Sequence, residues 1–112
     1  MDSIKKTIGL IEDVAAFIET FRSAALKAGF ACEQYGEIHG YPLLAFTKSG
    51  AGDGPAIYLS SGIHGNEPAP PRALLRLIER NFFDARVSWA ICPMLNPTGM
   101  HRDVRENFQG FD

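Results

Sequence analysis

Apolar residues in the first quarter of the chain recur at helical spacing. In "LIEDVAAFIETFRSAALKA", residues 10–28, Leu10, Val14, Phe17, Ile18, Phe21, Ala25 and Leu26 fall on one stripe and the charges on the other side. That period predicts an amphipathic helix, with Gly29 as its stop. The pattern then shortens. "FACEQYGEI" and "YPLLAFTKS", split by the turn "HGYP", predict a hairpin or two adjacent strands. "SGAGDGP" reads as a flexible turn, and "AIYLSSG" after it as a compact apolar strand ending in Gly. Residues 71–80, "PRALLRLIER", return to helical spacing with a stripe of Ala73, Leu74, Leu77 and Ile78. "VSWAICPML" is almost continuously apolar, as expected of a strand covered on both faces.

Strand, helix, strand in this order predicts a right-handed βαβ unit with parallel strands. No internal linker stands out, so residues 1–112 read as one domain of α/β class. A hydrophobic fraction of 46% with 11% aromatics is enough for a packed core and excludes a disordered chain. Eleven basic and 13 acidic residues leave a formal charge of -2, which points away from nucleic acid or an anionic membrane as partner. The opening "MDSIKKTIGLIEDVAAFIETF" is interrupted by acidic residues and reads as neither signal peptide nor membrane span, which makes the cytoplasm the expected location. Cys32 and Cys92 match no metal or redox spacing, and Cys92, in its apolar run, reads as a buried inert thiol.

The candidate chemistry lies in "SGIHGNEPAPPRALLRLIER", residues 61–80, where strand 56–61 gives way to a helix. In open α/β sheets, sites collect at the carboxyl ends of strands. Pro68 biases Glu67 away from the α region, so His64 and Glu67 are not a couple on one helix face. Pro70 and Pro71 fit only a first helical turn, and Gly62 and Gly65 allow a tight path around the His. An imidazole and a carboxylate are both good zinc ligands, and a catalytic zinc takes three protein ligands plus water. The competing reading makes His64 an ordinary loop residue and Glu67 a charge favoured by the helix N-terminus. The four-residue spacing alone favours the competing reading, and the strand, loop and proline-led helix around it bring the metal reading level with it.

Three segments in register carry a resemblance: "SSGIHGNEPAPPRALLRLIE", "CPMLNPTGM" and "RENFQGFD". Together they resemble the zinc carboxypeptidase family, nearest its bacterial cytoplasmic branch, which includes murein peptide amidases. The resemblance implies a three-layer α/β fold, a mixed sheet with flanking helices, zinc as cofactor, and His64 and Glu67 as two of its ligands. It implies Arg105 as the catalytic group that stabilises the oxyanion, and a peptide or murein-peptide substrate cut at an amide bond next to a free carboxylate. The family pattern continues beyond Asp112 into Leu-Asn-Arg. A carboxylate-gripping Asn-Arg pair, a third His ligand and a general-base Glu are therefore expected further on, and the chain is expected to be the N-terminal half of the domain, with doubtful activity by itself.

The aspartoacylase and succinylglutamate desuccinylase group shares a "GIHGNE"-like loop and is the alternative, although "NPTG" and "RENFQGFD" favour the carboxypeptidase side. A third expectation is a non-catalytic fragment that self-associates through an apolar sheet edge into a homo-oligomer. Of the remaining candidates, Asn96 is expected to brace its loop and His39 to sit in a turn. Arg102 reads as surface charge, and His101 is a remote candidate for a substitute ligand.

Overall fold

A computed structural model describes residues 11–52 and 54–112. Leu10 and Asp53, which belong to the predicted helix and the Gly-rich turn, lie outside the described residues. Helix α1 (Val14–Lys27) is followed by strands β1 (Ala31–Ile38), β2 (Tyr41–Lys48) and β3 (Ala56–Ser60). Helix α2 (Ala69–Glu79), strand β4 (Ser88–Cys92) and the short helix α3 (Pro97–Arg102) complete the order.

The boundaries have local causes. Asp13 caps α1 by accepting from the Ala16 N–H at 3.0 Å. At the other end Gly29 adopts φ +92°, while the Phe30 N–H returns to the Ala25 carbonyl and the Gly29 N–H to that of Leu26. This double closure satisfies carbonyls that the helix end would otherwise leave open. Helix α2 starts two residues before the expected 71, so that Pro70 and Pro71 fall in its first turn. There a missing N–H is no loss.

The sheet runs in the order β1-β2-β4-β3. Strands β1 and β2 form the expected antiparallel hairpin, β2 and β4 are antiparallel, and β3 and β4 are parallel, as a βαβ unit requires. The sheet is thus mixed and flanked by helices. One face carries Leu44, Phe46, Trp89 and Ile91, and against it pack Val14, Phe17, Ile18 and Phe21 from α1, Ile78 from α2 and Met100 from α3. Phe21, Phe46 and Ile91 are essentially sealed from solvent, and the Phe21 and Phe46 rings meet at 5.2 Å.

Three expectations need correction. The α1 stripe ends at Ala25, because Leu26 is half exposed. On α2, Ala73 faces solvent and Leu75 packs toward the core in its place. Strand β4 is covered on one face only. Thr47 and Tyr58 pair across the sheet with Ala90, which puts them on the opposite face with Cys92, where Tyr58 is 60% exposed and Cys92 is only half-buried. Burial, with Cys92 and Tyr58 nearby, raises the pKa of the Tyr35 phenol on this face. The Gly-rich turn is tied to the sheet at its start, where Gly50 N–H donates to Ser88 Oγ at 2.9 Å and Ala51 N–H to the Ala85 carbonyl at 2.9 Å.

Candidate metal-binding site

His64 and Glu67 both lie outside helix α2, in the turn that leaves β3. The Glu67 N–H donates to the His64 carbonyl at 3.2 Å, so the two residues are the corners of a β-turn. That turn brings the side chains face to face, with His64 Nδ1 3.1 Å from Glu67 Oε2. The sequence does not show the next contact. On the other side of the ring, His64 Nε2 lies 3.1 Å from Asp112 Oδ1. The second oxygen of Asp112 accepts from Arg105 Nε at 2.7 Å.

Two neighbouring segments hold this turn in place. Asn96, buried at the start of α3, accepts from the Gly99 N–H at 3.0 Å through its side-chain oxygen. Its Nδ2 donates to the Ile63 carbonyl at 3.2 Å and the Glu106 carbonyl at 3.0 Å. One amide therefore ties the His64–Glu67 turn, α3 and the segment bearing Arg105 together, the bracing role its sequence context suggests. Gly65 contributes differently from the expectation. Gly62 has φ +74°, but Gly65 is needed for space, since a Cβ there would stand 2.0 Å from the Gly99 backbone carbon and 2.3 Å from the Val104 carbonyl oxygen. Asn107 shapes the final loop by accepting from the Gln109 and Phe111 N–H groups at 2.9 and 3.0 Å, which delivers Asp112 to His64.

The electrostatics follow from these contacts. The hydrogen bond from Arg105 holds the Asp112 carboxyl below its usual range, His64 adding to the effect, and the same contact raises the Arg105 guanidinium. If Nε2–H is donated to Asp112, the bare lone pair of Nδ1 faces a carboxylate oxygen. Two acceptors at that distance require a proton or a cation between them. Two ligand atoms about 2.0–2.1 Å from a tetrahedral zinc lie about 3.3 Å apart, close to the observed Nδ1–Oε2 separation. An outer carboxylate that orients a ligating imidazole is also the usual companion of such a site. The donor set thus fits a divalent metal as far as it goes. Among the described residues no group of three His, Cys, Asp or Glu side chains is placed to hold a metal ion. His101 does not join the pair; its ring lies 6.3 Å from that of Tyr41. His39 occupies the hairpin turn with φ +49°, its ring 4.6 Å from Phe108.

Solved structures share this architecture. A candidate metallopeptidase from Shewanella amazonensis is 27% identical, with a TM-score of 0.78 over 88% of this chain and 38% of its own. Bovine thrombin-activatable fibrinolysis inhibitor, solved with a tick carboxypeptidase inhibitor, is 17% identical with a TM-score of 0.68 over 85% and 36% of the two chains. An aspartoacylase family protein from Mesorhizobium loti is 23% identical with a TM-score of 0.57 over 73% and 27%. The last two likenesses concern the fold alone. The chain spans about 38% of the length of the Shewanella protein. No curated protein sequence matches it. The resemblance to zinc carboxypeptidases holds at the level of fold, and within that group the matching family model is the one ranked second on sequence. It is the succinylglutamate desuccinylase/aspartoacylase catalytic domain, and it covers residues 53–108, from before β3 to the loop after α3. That half of the chain includes the His64–Glu67 turn, Asn96 and Arg105, and it shows that the chain belongs to the succinylglutamate desuccinylase/aspartoacylase catalytic-domain family.

Proposed function

We propose that this chain contributes two zinc ligands and an oxyanion-binding arginine to a hydrolase that cleaves an amide bond next to a free carboxylate. The observation that carries the reading is the 3.1 Å approach of His64 Nδ1 to Glu67 Oε2 on a ring whose other nitrogen is held by Asp112. When bound, zinc supplies a water of near-neutral pKa and a Lewis acid for the carbonyl. His64 and Glu67 would hold it, and Asp112 keeps the imidazole in the tautomer that leaves Nδ1 free to ligate. Arg105 meets Asp112 through Nε, which leaves its terminal nitrogens available to an anionic oxygen. Family membership draws the substrate toward an N-acylated amino acid. The likeness to the Shewanella metallopeptidase keeps a peptide or murein peptide as the second choice. Two free cysteines suit a reducing cytoplasm, and among the described residues no helix is long and apolar enough to cross a membrane.

With two ligands on hand, zinc should bind weakly and be lost on dialysis, and the chain alone should turn over neither acylated amino acids nor C-terminal peptides. Calorimetric zinc titration of the wild type, His64→Ala and Glu67→Gln tests the assignment. Unchanged binding in either variant would remove it. One zinc per chain retained through dialysis would instead reveal a third ligand among these residues.

A second reading, self-association without catalysis, is favoured by the uncovered sheet face and by edge strand β3, whose "AIYLS" carries no charge to discourage pairing. Light scattering separates the two, because a clean monomer at high concentration eliminates it.

A further inference from the structure

Between the tip of the β1–β2 hairpin and the last turn of α3 lies an open groove of about 320 Å³, lined by His39, Tyr41, Thr98, His101, Arg102 and Phe108. Among the described residues no carboxylate lines it. Among the described residues, neither Arg102 nor either histidine takes part in an ion pair, whereas Arg22, Arg86 and Arg105 each have an acidic partner. Asp103, next in the chain, is the left-handed C-cap of α3 and is not paired with Arg102 either. Ring contacts hold both imidazoles, His39 against Phe108 on the hairpin side and His101 beside Tyr41 on the helix side. Phe108 and Thr98 also line a second depression of about 240 Å³, whose wall includes Asp112 and Ile63. The two depressions are therefore neighbours, and an apolar ring separates the cationic groove from the carboxylate that holds His64.

We propose that this groove captures the carboxylate or phosphate group of an extended ligand that passes over Phe108 toward the His64–Glu67 pair. A guanidinium fork recognises either anion bidentately, and imidazole N–H groups and the Tyr41 hydroxyl add donors from the other wall. The proposal rests on the hydrolase reading only for what happens at the far end of the ligand; anion capture needs no zinc. It requires a substrate with an anionic group remote from the scissile bond, separated from it by an apolar stretch.

The test is a metal-free titration of the chain with inorganic phosphate, and separately with glutarate, at constant ionic strength. The imidazole Cε1–H resonances of the three histidines are followed by NMR. Saturable shifts of His39 and His101, with His64 unmoved, are expected for at least one of the two anions. Which anion binds identifies the group. Arg102→Gln should weaken that binding roughly tenfold, the loss of one charge-assisted contact, while Arg76→Gln on α2 leaves it unchanged. Linear, unsaturated shifts with both anions, or Arg102→Gln binding like the wild type in a spectrum that shows it folded, would overturn the proposal. So would a primary response at His64, which would place the anion on the metal pair.

Discussion

Asn96→Asp should damage this protein at least as much as Asn96→Ala, although aspartate is the closer mimic and a good N-cap. Alanine loses the acceptor for the Gly99 N–H, a capping bond that contributes about 1 kcal/mol. It also loses two amide donors, and the carbonyls of Ile63 and Glu106 each forfeit a bond of about 1 kcal/mol. A loss of about 3 kcal/mol is expected, a large share of the roughly 5–15 kcal/mol typical of whole domains. Aspartate keeps the cap, but it sets an ionised oxygen within reach of two carbonyl oxygens where the amide had donated to both. The damage is then about 3–5 kcal/mol, because a buried unpaired charge is penalised beyond a missing bond. Urea unfolding followed through Trp89, the single tryptophan, gives both values. With a slope of about 1–3 kcal/mol per molar, the Asn96→Ala midpoint should fall by roughly 1–3 M. If Asn96→Asp unfolds near the wild-type midpoint, capping is all that Asn96 does and the three-segment tie is wrong.

Three further outcomes follow from the same site. Gly65→Ala, which drives a methyl into the Gly99 backbone, should destabilise by about 3 kcal/mol or more and lower the melting temperature by more than 10 °C or so, read by circular dichroism. Asp112→Asn should weaken zinc binding about 10- to 100-fold without abolishing it, since the imidazole loses its orienting partner but both proposed ligands, His64 and Glu67, remain; competition with a zinc indicator measures this. The Asp112 carboxyl is depressed in the folded state, so its contribution is present above the ordinary carboxylate pKa of about 4 and is lost only as pH falls below that value. The Arg105 Nε–H resonance should therefore stay sharp and shifted at pH 5 and collapse toward its free position as the solution is acidified below pH 4.

Local pattern carried most of the fold and less of the site. The 3.6-residue period placed Val14, Phe17, Ile18, Phe21 and Ala25 on the buried side of α1, because those positions answer to one continuous core. It failed for Leu26 and Ala73, which lie at the margins of their stripes where a small rotation of the helix decides burial. The apolar run of β4 suggested two covered faces. Coverage depends on what packs across the sheet, and a strand's own letters do not record that. Within the site, the prolines around Glu67 and the "NPTG" segment made the loop geometry and the Asn96 brace readable. The contact from His64 to Asp112 was not, since 48 residues separate the two and only the fold closes that distance. Its one trace in the sequence was the register of "RENFQGFD". The same limit applied to family: the likeness to carboxypeptidases was legible, yet the family model that matches is that of the group sharing the "GIHGNE"-like loop.

The backbone contact between Gly65 and Gly99 has an evolutionary consequence. With no side chain in that gap, nothing there can compress, so the turn that presents His64 takes its position from a helix more than thirty residues later in the chain. Lengthening or shortening the connection between β4 and α3 would displace the imidazole as surely as editing the turn itself. Variation in this lineage is therefore expected to spare both connections together and to accumulate at sites such as the hairpin tip, which move without dragging the histidine along.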